Sequence, residues 1–303
     1  MGKIVLAAKI PHVPSILISE RPGPLFGKRE DAIRSLNEIG RRARDRGADT
    51  YLVFDTHWLS NFGCHLNSNE RHKGAYTSHE APHMIQNMEY DLPGNPELGD
   101  LIAEEAKRDG LDVLSHKVPT LALEYGTIVP MHYMNADGAQ RVISVAAPLF
   151  ATCDENRAFG AAVRRAVERS PFNVAVLASG SLSHKLVSNQ EVGDSQWNVV
   201  GSEFNRQMDL RVMDLWRERR YAEFCRMLPE YSTKCNGEGL MADTHMLFGL
   251  LGWAAYTGEA EVLCPYFPSS GSGQVTTEFH LRVCLESVFQ RASLRSSRIA
   301  EAA

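Results

Sequence analysis

The chain reads as an α/β protein: a single domain with a central, mostly parallel sheet flanked by helices, and a metal site at the carboxyl ends of the strands. Three observations predict this. Short apolar runs alternate along the sequence with amphipathic helical patterns, as in β-α-β connectivity. Three of the runs are followed by a histidine: Ile4-Val5-Leu6-Ala7 by His12, Tyr51-Leu52-Val53-Phe54 by His57, and Val174-Ala175-Val176-Leu177 by His184. No internal repeat or long Pro/Gly/Ser linker divides the 303 residues. One catalytic domain over 1–290 is therefore expected, with a Ser-, Arg- and Ala-rich tail over 291–303 that frays.

The elements follow in order. After the first strand, Ala32, Ile33, Leu36, Ile39 and Ala43 recur at helical spacing, and Gly47 is placed to stop that helix. The strand at 51–54 comes next, and the polar stretch holding His65, His72, His79 and His83 reads as loop or lid. Asn95-Pro96 has the form of an N-cap followed by a first helical residue, ahead of Leu98, Leu101, Ile102 and Ala106, with Gly110 closing the helix. Val113-Leu114 and Val142 to Val145 are strand-like. Ala158 to Val167 is an amphipathic helix before the strand at 174–177. From Asp194 to Leu228 the pattern is mostly helical, and the basic residues of 215–220 read as a solvated face. Met241 to Trp253 reads as a buried helix, Glu261-Val262-Leu263 as a last strand, and Ser269 to Gln274 as a loop.

Composition excludes several function classes. Hydrophobic residues make up 44% and charged residues 23%, with a formal net charge of −5, so nothing marks a nucleic-acid or membrane-surface partner. No early apolar run has the length of a membrane span or the form of a signal peptide. The six cysteines are scattered without a C-x-x-C pair, which argues against a zinc ribbon and for reduced thiols in the cytoplasm.

In an open α/β sheet, ligands bind outside the carboxyl ends of the strands, and parallel strands bring those ends to one edge. His12 lies in Pro11-His12-Val13-Pro14, where two prolines stiffen the strand exit and suit a ligand that must hold one orientation. A packed loop histidine would look the same in isolation; the repetition at His57 and His184 is what points to a site. Glu238, between Gly237 and Gly239, is a carboxylate able to complete a metal set, with a solvated turn as its plain alternative and His245 as a rival ligand. Two histidines and one carboxylate on one face of an ion form the ligand set of non-haem Fe(II) oxygenases, leaving one histidine for acid–base work. Asp55 is placed to orient a ligand from behind, and His116 is a weaker candidate for the same task. His132 and His280 read as structural. An H-E-x-x-H pair and a G-x-S-x-G elbow are both absent, which removes the commonest metalloprotease and serine-hydrolase readings.

Five segments then carry a resemblance: Pro11-His12-Val13-Pro14-Ser15, Phe54-Asp55-Thr56-His57-Trp58, Leu123-Glu124-Tyr125-Gly126-Thr127, Ala178 to His184, and Gly237-Glu238-Gly239. In this order they resemble the type III extradiol ring-cleavage dioxygenases, the protocatechuate 4,5-dioxygenase superfamily, and within it the branch acting on homoprotocatechuate (3,4-dihydroxyphenylacetate). The resemblance implies that His12, His57 and Glu238 bind Fe(II), with Mn(II) as an alternative, and that His184 is the acid–base residue. Many superfamily members carry Asp-His-Gly where this chain has Glu124-Tyr125-Gly126, so Tyr125 is expected to offer a phenolic hydrogen bond where relatives have a second histidine. It also implies a homo-oligomer that takes a small catechol and O2 and opens the ring to a semialdehyde. Protocatechuate, gallate or a lignin-derived diol is the alternative substrate, and a zinc-type hydrolase on the same ligands the alternative class. For an arylacetate carboxylate, Lys185, the Ser269-Ser270 loop and a neighbouring subunit all stand as candidate partners.

Overall fold

The computed structural model describes residues 1–188 and 198–281; the expected tail, the last part of the 1–290 domain and Cys284 lie outside the described residues. Among the described residues there are ten strands: β1 (Lys3–Ile10), β2 (Thr50–Ser60), β3 (Cys64–Asn67), β4 (Arg71–Tyr76), β5 (Met88–Pro93), β6 (Val113–His116), β7 (Arg141–Pro148), β8 (Asn173–Ser179), β9 (Ala260–Ser269) and β10 (Ser272–Phe279). The helices are α1 (Ser15–Ile18), α2 (Glu30–Asp45), α3 (Pro96–Arg108), α4 (Tyr125–Met134), α5 (Cys153–Arg169), α6 (Glu203–Arg217), α7 (Tyr221–Lys234) and α8 (Ala242–Leu251).

Eight strands form one sheet in the order β6-β3-β7-β2-β8-β1-β10-β9. Its middle, β7-β2-β8-β1, is parallel throughout, while β3 against β7 and β10 against β1 and β9 are antiparallel. The three strands that lead to histidines are therefore immediate neighbours. Near-continuous apolar runs suit them, because both faces are covered. Alternate residues go to opposite layers: Leu52, Phe54, Val174 and Val176 pack with α3, α5, α6, α7 and α8, whereas Tyr51, Val53, Ala175 and Leu177 pack with α2 and α4. Helix limits follow the expected signals. The Asn95 side chain accepts from the Leu98 N–H at 3.1 Å, and Gly47 beyond α2 has φ +75°.

The structure corrects two readings. The polar stretch after β2 is not one loop: it contains β3 and the separate hairpin β4-β5. His65 lies in β3, and His72 is 3% exposed in β4 with Nε2 donating to the Val142 carbonyl at 3.0 Å. Only the stretch with His79 and His83 connects strands. Likewise the expected loop Ser269 to Gln274 is mostly strand: Ser269 ends β9 opposite Ser272, Ser272 to Gln274 begin β10, and only Ser270 and Gly271, both at positive φ, form the hairpin turn. β10 is rich in Ser, Thr and Gln yet buried along its whole length, because it lies between β1 and β9.

Candidate active site

Each histidine reaches the sheet edge by a local device. His12 follows β1 directly, within the proline-stiffened exit, and is 2% exposed. In β2 the ladder to β7 jumps from Asp55 opposite Ala146 to Leu59 opposite Ala147, so Thr56, His57 and Trp58 bulge out of the pairing. A bulge re-aims side chains. Asp55 holds this one: its Oδ1 accepts from the backbone N–H of His57 (2.8 Å) and Trp58 (3.2 Å), and its Oδ2 accepts from the Thr127 hydroxyl (2.7 Å). Asp55 thus grips the backbone of the bulge and not the imidazole. Gly126 is required beside it, since a Cβ there would lie 2.0 Å from Asp55 Oδ1.

Glu238 enters from the turn after α7. Gly239, Leu240 and Met241 are all left-handed, with φ of 53°, 54° and 58°. Such geometry costs about 1–2 kcal/mol for a residue bearing a Cβ, and it persists at sites where the surroundings impose it. Glu238 Oε1 lies 3.1 Å from His12 Nε2, and Oε2 accepts from the Ser181 N–H at 2.5 Å. Burial pushes the Glu238 carboxyl up, but the charge and hydrogen bond of His12 outweigh it and hold it well below the usual carboxylate range.

One donor atom each from His12, His57 and Glu238 fall within 4.8 Å of one another. Ligand bonds of about 2.1 Å on one face of an octahedral ion place donors ~3 Å apart, so the set fits a divalent ion after small shifts. The second nitrogen of His12 agrees: Nδ1 is 3.0 Å from Ser179 Oγ, whose own proton goes to the Gly126 carbonyl at 2.5 Å. That hydroxyl must accept from Nδ1–H, so Nε2 is the nitrogen turned toward Glu238 and the other donors.

The cavity over these residues has a volume of about 690 Å³ and is also lined by His184, Tyr125, Met84, Leu149, Ser15 and Ser269. His184 lies outside the three-donor set; its N–H donates to the Asn236 carbonyl at 2.9 Å. The Tyr125 ring lies against His57 with centroids 3.6 Å apart, and its hydroxyl donates to Glu80 Oε1 at 2.5 Å. Glu80 also lies 3.3 Å from His57 Nε2. That hydrogen bond, chiefly, and the Tyr125 bond hold its carboxyl down at about 2 against the effect of burial. A larger cavity of about 780 Å³, between β5 and α4, contains neither of the clustered donor groups found among the described residues. The second of those groups, Glu261, Glu278 and His280, is engaged by Arg42, whose guanidinium lies 2.7 Å from both carboxylates.

Residues 6–280 match the family described as "Catalytic LigB subunit of aromatic ring-opening dioxygenase". The chain belongs to this family. LigB membership carries a catalytic metal and an aromatic substrate cleaved with O2, so the expected enzyme class stands. Among curated proteins, this LigB chain is 49% identical over 270 residues to a 3,4-dihydroxyphenylacetate 2,3-dioxygenase of Escherichia coli, covering 88% of the chain and 97% of the relative. It is 25% identical over 243 residues to a 2-aminophenol 1,6-dioxygenase beta subunit of a Pseudomonas species, covering 76% and 79%. A crystal structure of an uncharacterised Escherichia coli K12 protein shares the fold with a TM-score of 0.59 at 16% identity, over 82% of this chain and 92% of that one.

In this LigB chain several expected residues fall outside the cavity. His116 is on β6, at the far edge of the sheet, with Nε2 2.8 Å from His65 Nδ1. His245 is buried in α8, its Nδ1 donating to the Met241 carbonyl and its ring stacked on Trp253. Neither joins the donor set, because the sheet order and the helix axis carry them away from it. Lys185 is exposed and does not line the cavity, whereas Ser269 and Ser270 do. Glu80 was missed in the sequence, being a single polar residue without a surrounding pattern, and Ser179 stood there only as part of the Ala178 to His184 segment. No described helix is long and apolar enough to cross a membrane.

Proposed function

We propose that the chain is an Fe(II)-dependent extradiol dioxygenase that converts 3,4-dihydroxyphenylacetate and O2 to 5-carboxymethyl-2-hydroxymuconate semialdehyde, both oxygen atoms entering the product. The observation that carries the reading is the position of His184, an imidazole in the same cavity as the His12–His57–Glu238 set but outside it. The similarity to the Escherichia coli enzyme supports the substrate. Fe(II) is favoured by the two-histidine, one-carboxylate donor set, which Mn(II) also accepts. Assembly as a homo-oligomer in the cytoplasm completes the reading.

Bound Fe(II) supplies one coordination sphere in which catechol and O2 meet, a matter of orientation and charge. The protein does the rest. His12, His57 and Glu238 would hold the ion where they line the cavity. His184 accepts a catechol hydroxyl proton and returns it as the ring opens. Tyr125 presents a hydroxyl on a ring that lies against His57. Burial pushes that phenol up, so it acts as a neutral hydrogen-bonding group. For the acetate group, the cavity wall offers Ser15 and Ser269, whose hydroxyl oxygens are 3.1 Å apart, with Arg29 Nε donating to Ser15 Oγ at 3.3 Å from behind.

The test is anaerobic loading with Fe(II), then O2 uptake with 3,4-dihydroxyphenylacetate. Uptake of one O2 per catechol with a yellow ring-opened product is expected. No uptake, or a product cleaved between the two hydroxylated carbons, overturns the reading.

A further inference from the structure

Behind His184 stands a buried carboxylate with an unusual set of partners. Asp209, on α6, has no exposed surface. Its Oδ1 accepts from the Ser183 N–H (3.1 Å) and the Tyr231 hydroxyl (2.5 Å), and its Oδ2 accepts from the Ser183 hydroxyl (2.8 Å) and the Tyr266 hydroxyl (2.8 Å). No lysine or arginine of the described residues forms an ion pair with it. All four donors are neutral and come from three elements: the segment after β8, α7 and β9. A buried carboxylate without a cation persists only where such donors satisfy it. Gly273 is shaped by the same group, since a Cβ there would lie 2.0 Å from Asp209 Oδ2.

The segment it grips is where the site is assembled. Leu182 N–H donates to the Gly273 carbonyl and Gly273 N–H to the Ser183 carbonyl, at 2.8 and 2.9 Å, tying the segment to β10. The next residue, His184, donates its N–H to Asn236, and Ser181 donates its own to Glu238. One turn before Asp209 on the same face of α6, Asn205 Nδ2 donates to the Cys235 carbonyl at 3.2 Å. α6 thus braces both the segment of His184 and the turn that delivers Glu238. Packing of Trp216 against Phe279 (5.2 Å) and Phe224 (5.4 Å) seats the helix on β10 and α7.

We propose that Asp209 is a positioning residue for the ring-opening reaction: through Ser183 it sets the place of the His184 imidazole relative to the metal ligands. The proposal rests on the acid–base reading of His184. A displacement near 1 Å at a reacting group costs roughly 100-fold in rate. Loss of this grip should therefore act on turnover more than on substrate binding.

The test compares Asp209→Asn, His184→Phe and the double variant in the iron-loaded enzyme, reading kcat, KM and iron content. The amide keeps the shape but turns an NH2 toward hydroxyls and an N–H that also donate. The expected result is a kcat lower by roughly 10- to 100-fold in Asp209→Asn, with KM and iron content near wild type. In the His184→Phe background the same substitution should cost nothing further, because the group it positions is gone. Equal losses in both backgrounds, or wild-type kcat in Asp209→Asn, overturn the proposal. If Asp209→Asn does not fold, Ser183→Ala removes one of the two Ser183 bonds; it should show a smaller kcat loss with the same non-additivity, and full kcat there overturns it. Wild-type turnover in His184→Phe alone defeats the acid–base reading instead, so the two failures are told apart.

Discussion

Ser179 holds one nitrogen of His12 and turns the other toward Glu238. Its hydroxyl proton goes to the Gly126 carbonyl, so its oxygen accepts from His12 Nδ1, and β8 thereby orients an imidazole that follows β1. Ser179→Ala removes that orientation without touching the donor set. Fe(II) affinity is expected to fall about 10- to 100-fold, measured by anaerobic titration. Unchanged affinity would mean that the proline-stiffened backbone alone positions the ring.

Substrate selection gives a second expectation. If Ser269 binds the acetate group, Ser269→Ala should raise KM for 3,4-dihydroxyphenylacetate by roughly 10-fold, the worth of a hydrogen bond to a charged group. KM for 4-methylcatechol, which lacks the carboxylate, should stay put. Parallel rises for both catechols would place the acetate elsewhere.

A buried ion pair underlies the site. Lys9 on β1 donates to Asp243 at the start of α8, and both side chains are 1% exposed. Removing one partner strands the other in the core, so Lys9→Met is expected to cost about 3–5 kcal/mol by urea denaturation. Lys9→Met with Asp243→Leu should recover much of that loss. A single variant as stable as wild type would show that water reaches the pair.

Stability should also depend on pH through His72 and His245. Burial lowers both pKa values below the ordinary 6.5, so each stays neutral in the folded chain while the unfolded chain takes up a proton below that pH. The unfolded state then binds more protons, and stability falls as pH drops below about 6.5, by up to roughly 1.4 kcal/mol per unit per histidine. His72→Gln, which keeps an N–H for the Val142 carbonyl, should flatten the dependence in urea melts between pH 7 and 5. An unchanged slope would remove His72 from the account.

How much of this was legible in the sequence depended on whether a residue belonged to a pattern. β1, β2 and β8 are apolar on both faces and stood out, and so did the Asn95-Pro96 start of α3. Because those strands turned out to be neighbours, His12, His57 and His184 met as expected. β10 did not stand out: Thr276, Thr277 and Gln274 are as buried as any leucine but give no hydrophobic signal. β4 is polar because only part of that hairpin faces the core, which hid His72 in an apparent loop. Asp209 and Glu80 were invisible for a further reason. A carboxylate takes its role from hydroxyls such as Ser183 and Tyr125 that lie far from it in the chain, and spacing carries no trace of that.

The order in which the strands enter the sheet bears on how the protein is made. β1, β2 and β8 all precede Glu238 in the chain, so the strands that lead to the histidines are made before the carboxylate that faces them. Glu238 comes on a left-handed turn braced by α6, and the Leu182-Ser183 segment facing that turn is tied to β10, which lies beside β1. A chain stopped short of β10 would therefore carry all three donor residues and still lack the strand that ties the His184 segment to the sheet.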